Sequence, residues 1–183
     1  KKDREALEAF QTFKPTSKYY AEAQTLMSDI FLNTRDYKRA LDILEDIPNK
    51  NPQLLETYQK VAFLYGQQQY LENDYPKATI AFQKSLNKPV DQRYKAMAIY
   101  WLADLAHQQN DYVESVKRAN QFFTIAKTVN NLPDESSVYT ANYLQGYNFL
   151  KTKKYTNALG YFQDAVGSIK RNSQFINNST VKN

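Results

Sequence analysis

The chain has 183 residues, 42% of them hydrophobic, with 24 Lys and Arg against 19 Asp and Glu. That is long enough for one domain or an array of a few repeats, and too mildly basic for an extended nucleic-acid stripe. There is no cysteine, which excludes disulfides, thiol catalysis and Cys-bound metal, and no apolar run approaches the roughly 18 residues that span a bilayer.

Helix signals follow one another along the whole chain. A first helix is expected over about 3–13, closed by Lys14-Pro15-Thr16-Ser17, and a second over about 18–33. Asp36 can cap a third, whose apolar Tyr37, Ala40, Leu41, Leu44 and Ile47 keep helical spacing. A fourth covers about 53–69. Asp74 caps a fifth, with Pro76 in the first turn, where a missing N–H costs little. A sixth and seventh cover about 91–109 and 111–128. Asp134 is expected to cap an eighth that runs to about 151, and a ninth covers about 154–170. The polar segment 171–183 reads as a tail or as the start of a next helix. No segment alternates with period two, so almost no sheet is expected.

Five phrases recur in phase. They are Asp3-Arg4-Glu5-Ala6, Asp36-Tyr37-Lys38-Arg39-Ala40, Asp74-Tyr75-Pro76-Lys77-Ala78, Asp111-Tyr112-Val113-Glu114-Ser115 and Lys154-Tyr155-Thr156-Asn157-Ala158. Their last, small residues stand 34, 38, 37 and 43 apart. A large apolar residue follows four places on at Phe10, Leu44, Phe82 and Phe162. Such a recurrence marks an array of helical repeats. The uneven spacing places a four-residue insertion within Gln67–Asn73 and further residues after Phe122, in a lengthened helix and the loop Asn130–Asp134.

The pattern resembles the tetratricopeptide repeat (TPR). Leu102-Ala103 matches the Leu-small pair of that family's first helix, as do Met27-Ser28 and Val61-Ala62. Ala40, Ala78 and Ala158 match the small position of its second helix. Gln145 departs from the family by standing where it has Leu. The resemblance implies an all-α fold of about nine helices, with antiparallel pairs stacked into a right-handed superhelix. It covers residues 3–170, as the second helix of a truncated repeat (3–17) and four repeats (18–52, 53–90, 91–132, 133–170). The half repeat around Ala6 leads us to expect a section of a longer, bacterial array.

The family's first helices line a concave groove. Carried over, this gives Gln59, Phe63, Tyr100, Asp104, His107, Tyr143, Tyr147 and Lys151 as candidates to hold a protein or peptide partner. The rings among them could equally pack against the next repeat. The family's Lys/Asn/Arg clamp for a peptide carboxylate is absent, since Thr25, Asp29, Met97 and Trp101 stand at the corresponding places.

Chemistry has little to stand on. His107 is the one histidine, and there is no phosphate loop, nucleophile elbow or metal-ligand cluster. The expected function is therefore a non-catalytic interaction scaffold without cofactor. The alternative is a structural or regulatory segment that packs on another domain of a longer chain. Nucleic acid is disfavoured because Glu22, Asp29, Glu56 and Asp104 lie among the groove positions. The compartment stays open between cytoplasm and export. The Tyr, Asn and Lys-rich composition is similar to that of long repeat proteins of gut bacteria, which are often exported.

Overall fold

The computed structural model describes the backbone of residues 2–33 and 35–180, and the side chains of 5–10, 12–33 and 35–167. Among the described residues there are nine α-helices and no strand: α1 (Lys2–Gln11), α2 (Tyr20–Asn33), α3 (Tyr37–Asp46), α4 (Pro52–Leu71), α5 (Tyr75–Asn87), α6 (Gln92–Gln108), α7 (Tyr112–Ala126), α8 (Val138–Lys151) and α9 (Tyr155–Thr180). The segment from 171, expected as a tail or as the start of a next helix, is instead continuous with α9 up to Thr180. Residues 181–183 lie outside the described residues, as do the side chains of Asp3, Arg4, Lys170 and Arg171. The chain forms two compact units, Lys1–Ala98 and Ile99–Asn183.

The repeated aspartates start helices as their chemistry requires. The carboxylates of Asp36, Asp74 and Asp111 accept from the backbone N–H three residues on, at Arg39, Lys77 and Glu114. Each satisfies a donor that a helix start leaves free. Asn51 does the same for Leu54 at the head of α4. The eighth helix differs from expectation. Asp134 opens a short 3-10 turn (Asp134–Ser136), and Ser137 is the cap of α8, accepting from the N–H of Thr140. The extra residues before the fourth repeat fill this connection from Lys127 to Ser137. Helix α7 has 15 residues against 13 in α5, so the loop takes most of them.

The turn inside each helix pair is the same device in three copies. Asn73, Asn110 and Lys153 adopt φ of 61°, 63° and 61°. The next N–H reaches back five residues, from Asp74 to Gln69, Asp111 to Ala106 and Lys154 to Phe149. Their own N–H groups reach back three, to Tyr70, His107 and Leu150. This is a Schellman closure, and its last residue heads the next helix.

That geometry corrects the alignment of the second repeat. In every pair the first helix ends seven residues before the small residue of the second: Asn33 before Ala40, Leu71 before Ala78, Gln108 before Ser115, Lys151 before Ala158. Nothing is inserted within Gln67–Asn73. The extra turn lies at the start of α4, which has 20 residues. Gly66, rather than Ala62, is the small residue of that first helix, and it lies under Phe82. Taking Val61-Ala62 as the Leu-small pair shifts the repeat by one helical turn, because both turns of α4 offer an apolar-small pair.

In the first unit the core is one cluster that includes Met27 and Phe31 from α2, Ala40, Leu41 and Leu44 from α3, and Leu54, Val61, Ala62 and Tyr65 from α4. Full burial of a Leu or Phe contributes about 1.5–3 kcal/mol. In the second unit Leu102, Ala103, Leu105, Ala119, Phe122, Ala141, Leu144, Ala158 and Ala165 are buried.

Candidate functional site

In the first unit, two candidates on α4 are committed internally. Gln59 is fully buried, and its side chain ties down the connection between α5 and α6. Oε1 accepts from the N–H groups of Val90 (2.9 Å) and Asp91 (2.7 Å), and Nε2 donates to the carbonyl of Asp91 at 2.9 Å. Gln24 on α2 does the same for the preceding pair, accepting from Asn51 N–H at 2.8 Å and donating to the Asn49 carbonyl at 3.3 Å. A buried amide that satisfies an adjacent turn is a structural device, because breaking it strands buried polar groups. Phe63 is also buried, its ring 5.5 Å from Phe82 and 5.3 Å from Tyr94 between centroids.

The second unit holds the other six candidates on α6 and α8. Tyr100 is buried against Trp101 and Phe122. Burial pushes its phenol up to about 12, and the charge of Asp104 adds to the shift. Asp104 and His107 are half-buried farther along α6. His107 Nδ1 lies 2.7 Å from Asn148 Oδ1. Since Asn148 Nδ2 donates to Ser115 Oγ (2.8 Å) and Gln145 Oε1 (3.1 Å), its Oδ1 is the acceptor and the histidine proton sits on Nδ1. Gln145 Nε2 continues to Asn120 Oδ1 at 3.2 Å. A polar chain thus runs through the packing of α6, α7 and α8. Gln145, which departs from the family's Leu, is one of its links. Asn148, its hub, carries no signal in the sequence beyond being a polar residue on the buried side of α8.

Along the open side of α8 the side chains differ in kind. Tyr143 is 54% exposed, whereas Tyr147 is half-buried. Their rings meet edge to face at 4.8 Å and their hydroxyls are 3.1 Å apart. The shared hydrogen bond raises the Tyr143 phenol above its ordinary value. Both rings rest on Phe162 of α9, at 5.8 and 5.3 Å, and His107 meets Tyr147 at 6.5 Å. Leu150 and Lys151 extend the exposed side toward the end of the helix. The structure therefore gathers His107, Tyr143, Tyr147 and Lys151 near one surface, whereas Tyr100 is buried against Trp101 and Phe122. What it can do chemically is offer rigid rings, two phenol hydroxyls and one amine to a surface ligand. No group of three or more His, Asp or Glu that could hold a metal occurs among the described residues. None of the described helices is long and apolar enough to cross a membrane.

No protein-family model matches the chain, and no curated protein matches it. Among solved structures it is similar to a crystal structure of MamA, with a TM-score of 0.55 and 12% identity, covering 94% of this chain and 91% of that one. A second MamA crystal structure gives a TM-score of 0.54 at 12% identity, covering 95% and 86%. MamA is a TPR-like helical repeat protein, and at this identity the likeness speaks for architecture alone. The chain thus has the all-α, TPR-type fold of stacked antiparallel helix pairs.

Proposed function

We propose that the chain is a non-catalytic scaffold that holds a partner polypeptide on the open side of α8. The observation that carries this reading is Tyr143, 54% exposed beside rings that are themselves packed. An exposed tyrosine clamped by Tyr147 and Phe162 has little side-chain entropy left to lose on binding, so contact with a partner costs little in ordering. Lys151 offers a charge contact at the rim. Gln59 and Phe63, being buried, act as support for the first unit. A preformed helix surface of this kind binds extended or helical segments without rearrangement of its backbone. His107 spends its Nδ1 on Asn148, which makes it a link in the packing and supports a binding reading over turnover.

The test is selection from a random peptide library on the intact chain, followed by hydrogen exchange with the best peptide. Protection centred on residues 138–151 is the expected result. Peptides that protect only segments outside α8 would refute the assignment.

A further inference from the structure

A second surface lies on α9 and meets the tyrosine side of α8 only at Phe162. Tyr155, Leu159, Phe162 and Val166 are spaced four, three and four apart, which aligns them along one side of the helix. This stripe runs beside the buried Ala158 and Ala165. Phe162 is partly covered by α8, but Tyr155, Leu159 and Val166 are 62%, 59% and 53% exposed.

The same positions on α3 show what such a stripe does in this chain. Tyr37 heads α3 as Tyr155 heads α9, and Leu41 follows Ala40 as Leu159 follows Ala158. Yet Leu41 is 2% exposed, because α4 lies on it with Leu54, Val61, Ala62 and Tyr65 in the same cluster. The cover on α3 includes one side of α4, where Leu54, Val61, Ala62 and Tyr65 keep helical spacing.

We propose that the α9 stripe is a docking surface for an amphipathic helix of that class, supplied by a partner polypeptide and seated as α4 is on α3. The surface is shaped for it. A depression of about 360 Å³ lined by Phe162, Gln163, Val166 and Gly167 can receive a side chain. At Gly167 a Cβ would meet no atom within 4 Å, so the partner's side chains reach the backbone of α9 there without obstruction. Thr156 and Gln163 flank one side of the stripe without charge, which suits an apolar helix better than an extended charged segment.

The probe is a labelled peptide of residues 51–72, the α4 segment with its Asn51 cap, titrated into the intact chain and followed by fluorescence anisotropy. Saturable binding that weakens at least tenfold in Leu159→Asp/Val166→Asp, with helicity and melting unchanged, is expected. Tyr143→Ala should leave this binding intact, which separates the proposal from the reading of α8. No saturable binding, or binding that the double variant leaves unaltered, overturns it. So does a dimer of the chain alone that the double variant dissociates, since the stripe is then filled by a second copy.

Discussion

Gly146 lies so close to Phe162 that a Cβ on it would stand 2.5 Å from Cε1 and 2.6 Å from Cδ1 of the ring. Gly66 and Phe82 repeat the relationship at 2.8 Å. In both pairs the glycine sits on the first helix and the ring on the second, so the absence of a side chain sets how closely the helices approach. On the α8 side the Phe162 ring is held by Tyr143 and Tyr147, so an added Cβ pushes it out of those contacts. Gly146→Ala should therefore cost about 1–3 kcal/mol despite alanine's better helix propensity. Gly160 on α9 has open space where its Cβ would be. Gly160→Ala should stabilise by about 0.5–1 kcal/mol. Chemical denaturation of the two variants, which should move in opposite directions, checks the packing account.

Lys153 holds φ at 61° where the two equivalent turns place Asn73 and Asn110. The left-handed region costs a side chain with a bulky Cβ substituent roughly 1 kcal/mol, and Asn tolerates it better. Lys153→Asn should raise the denaturation midpoint, with a gain of up to about 1 kcal/mol. The reverse change, Asn110→Lys, should lower it by a similar amount.

These turns also show how much of the fold is legible in the sequence. The Asp-Tyr phrases announce three helix starts because a carboxylate cap acts locally and leaves its mark within four residues. Asp134 misleads for the same reason. It precedes a helical pattern, but Pro133 and the 3-10 turn shift the cap to Ser137. The second repeat is open to misplacement by a turn because Val61-Ala62 and Tyr65-Gly66 are both apolar-small pairs. The end of α4 at Leu71 and the contact of Gly66 with Phe82 decide between them. Of the candidate site, the exposure of Tyr143 and the burial of Gln59, Phe63 and Tyr100 depend on neighbouring helices that spacing alone does not fix.

Asn148 is the hub between His107, Ser115 and Gln145. Asn148→Leu keeps the branched shape but is bulkier and leaves several buried polar groups without their partner. A loss of about 1–3 kcal/mol is expected. The imidazole, released from its 2.7 Å contact, should show a changed Nδ1 proton signal by NMR.

Tyr100 links stability to high pH. Its phenol is pushed up to about 12 in the folded chain, against an ordinary value of 10.0. The folded state thus keeps its proton where the unfolded chain has lost it. The contribution is fully present below pH 10, and stability falls as pH rises from there through about 12. At about 1.4 kcal/mol per pKa unit the fall reaches on the order of 2 kcal/mol. Tyr100→Phe should flatten this decline when unfolding free energy is measured between pH 9 and about 12.

The central claim is that the exposed side of α8 binds a polypeptide through Tyr143. Its most direct test is the affinity of a library-selected peptide for the intact chain and for Tyr143→Ala, measured by calorimetry alongside circular dichroism. The account predicts a loss of about 1–2 kcal/mol of binding, a five- to thirtyfold weaker Kd, with helicity unchanged. Equal affinity for the two proteins at equal helicity would contradict it.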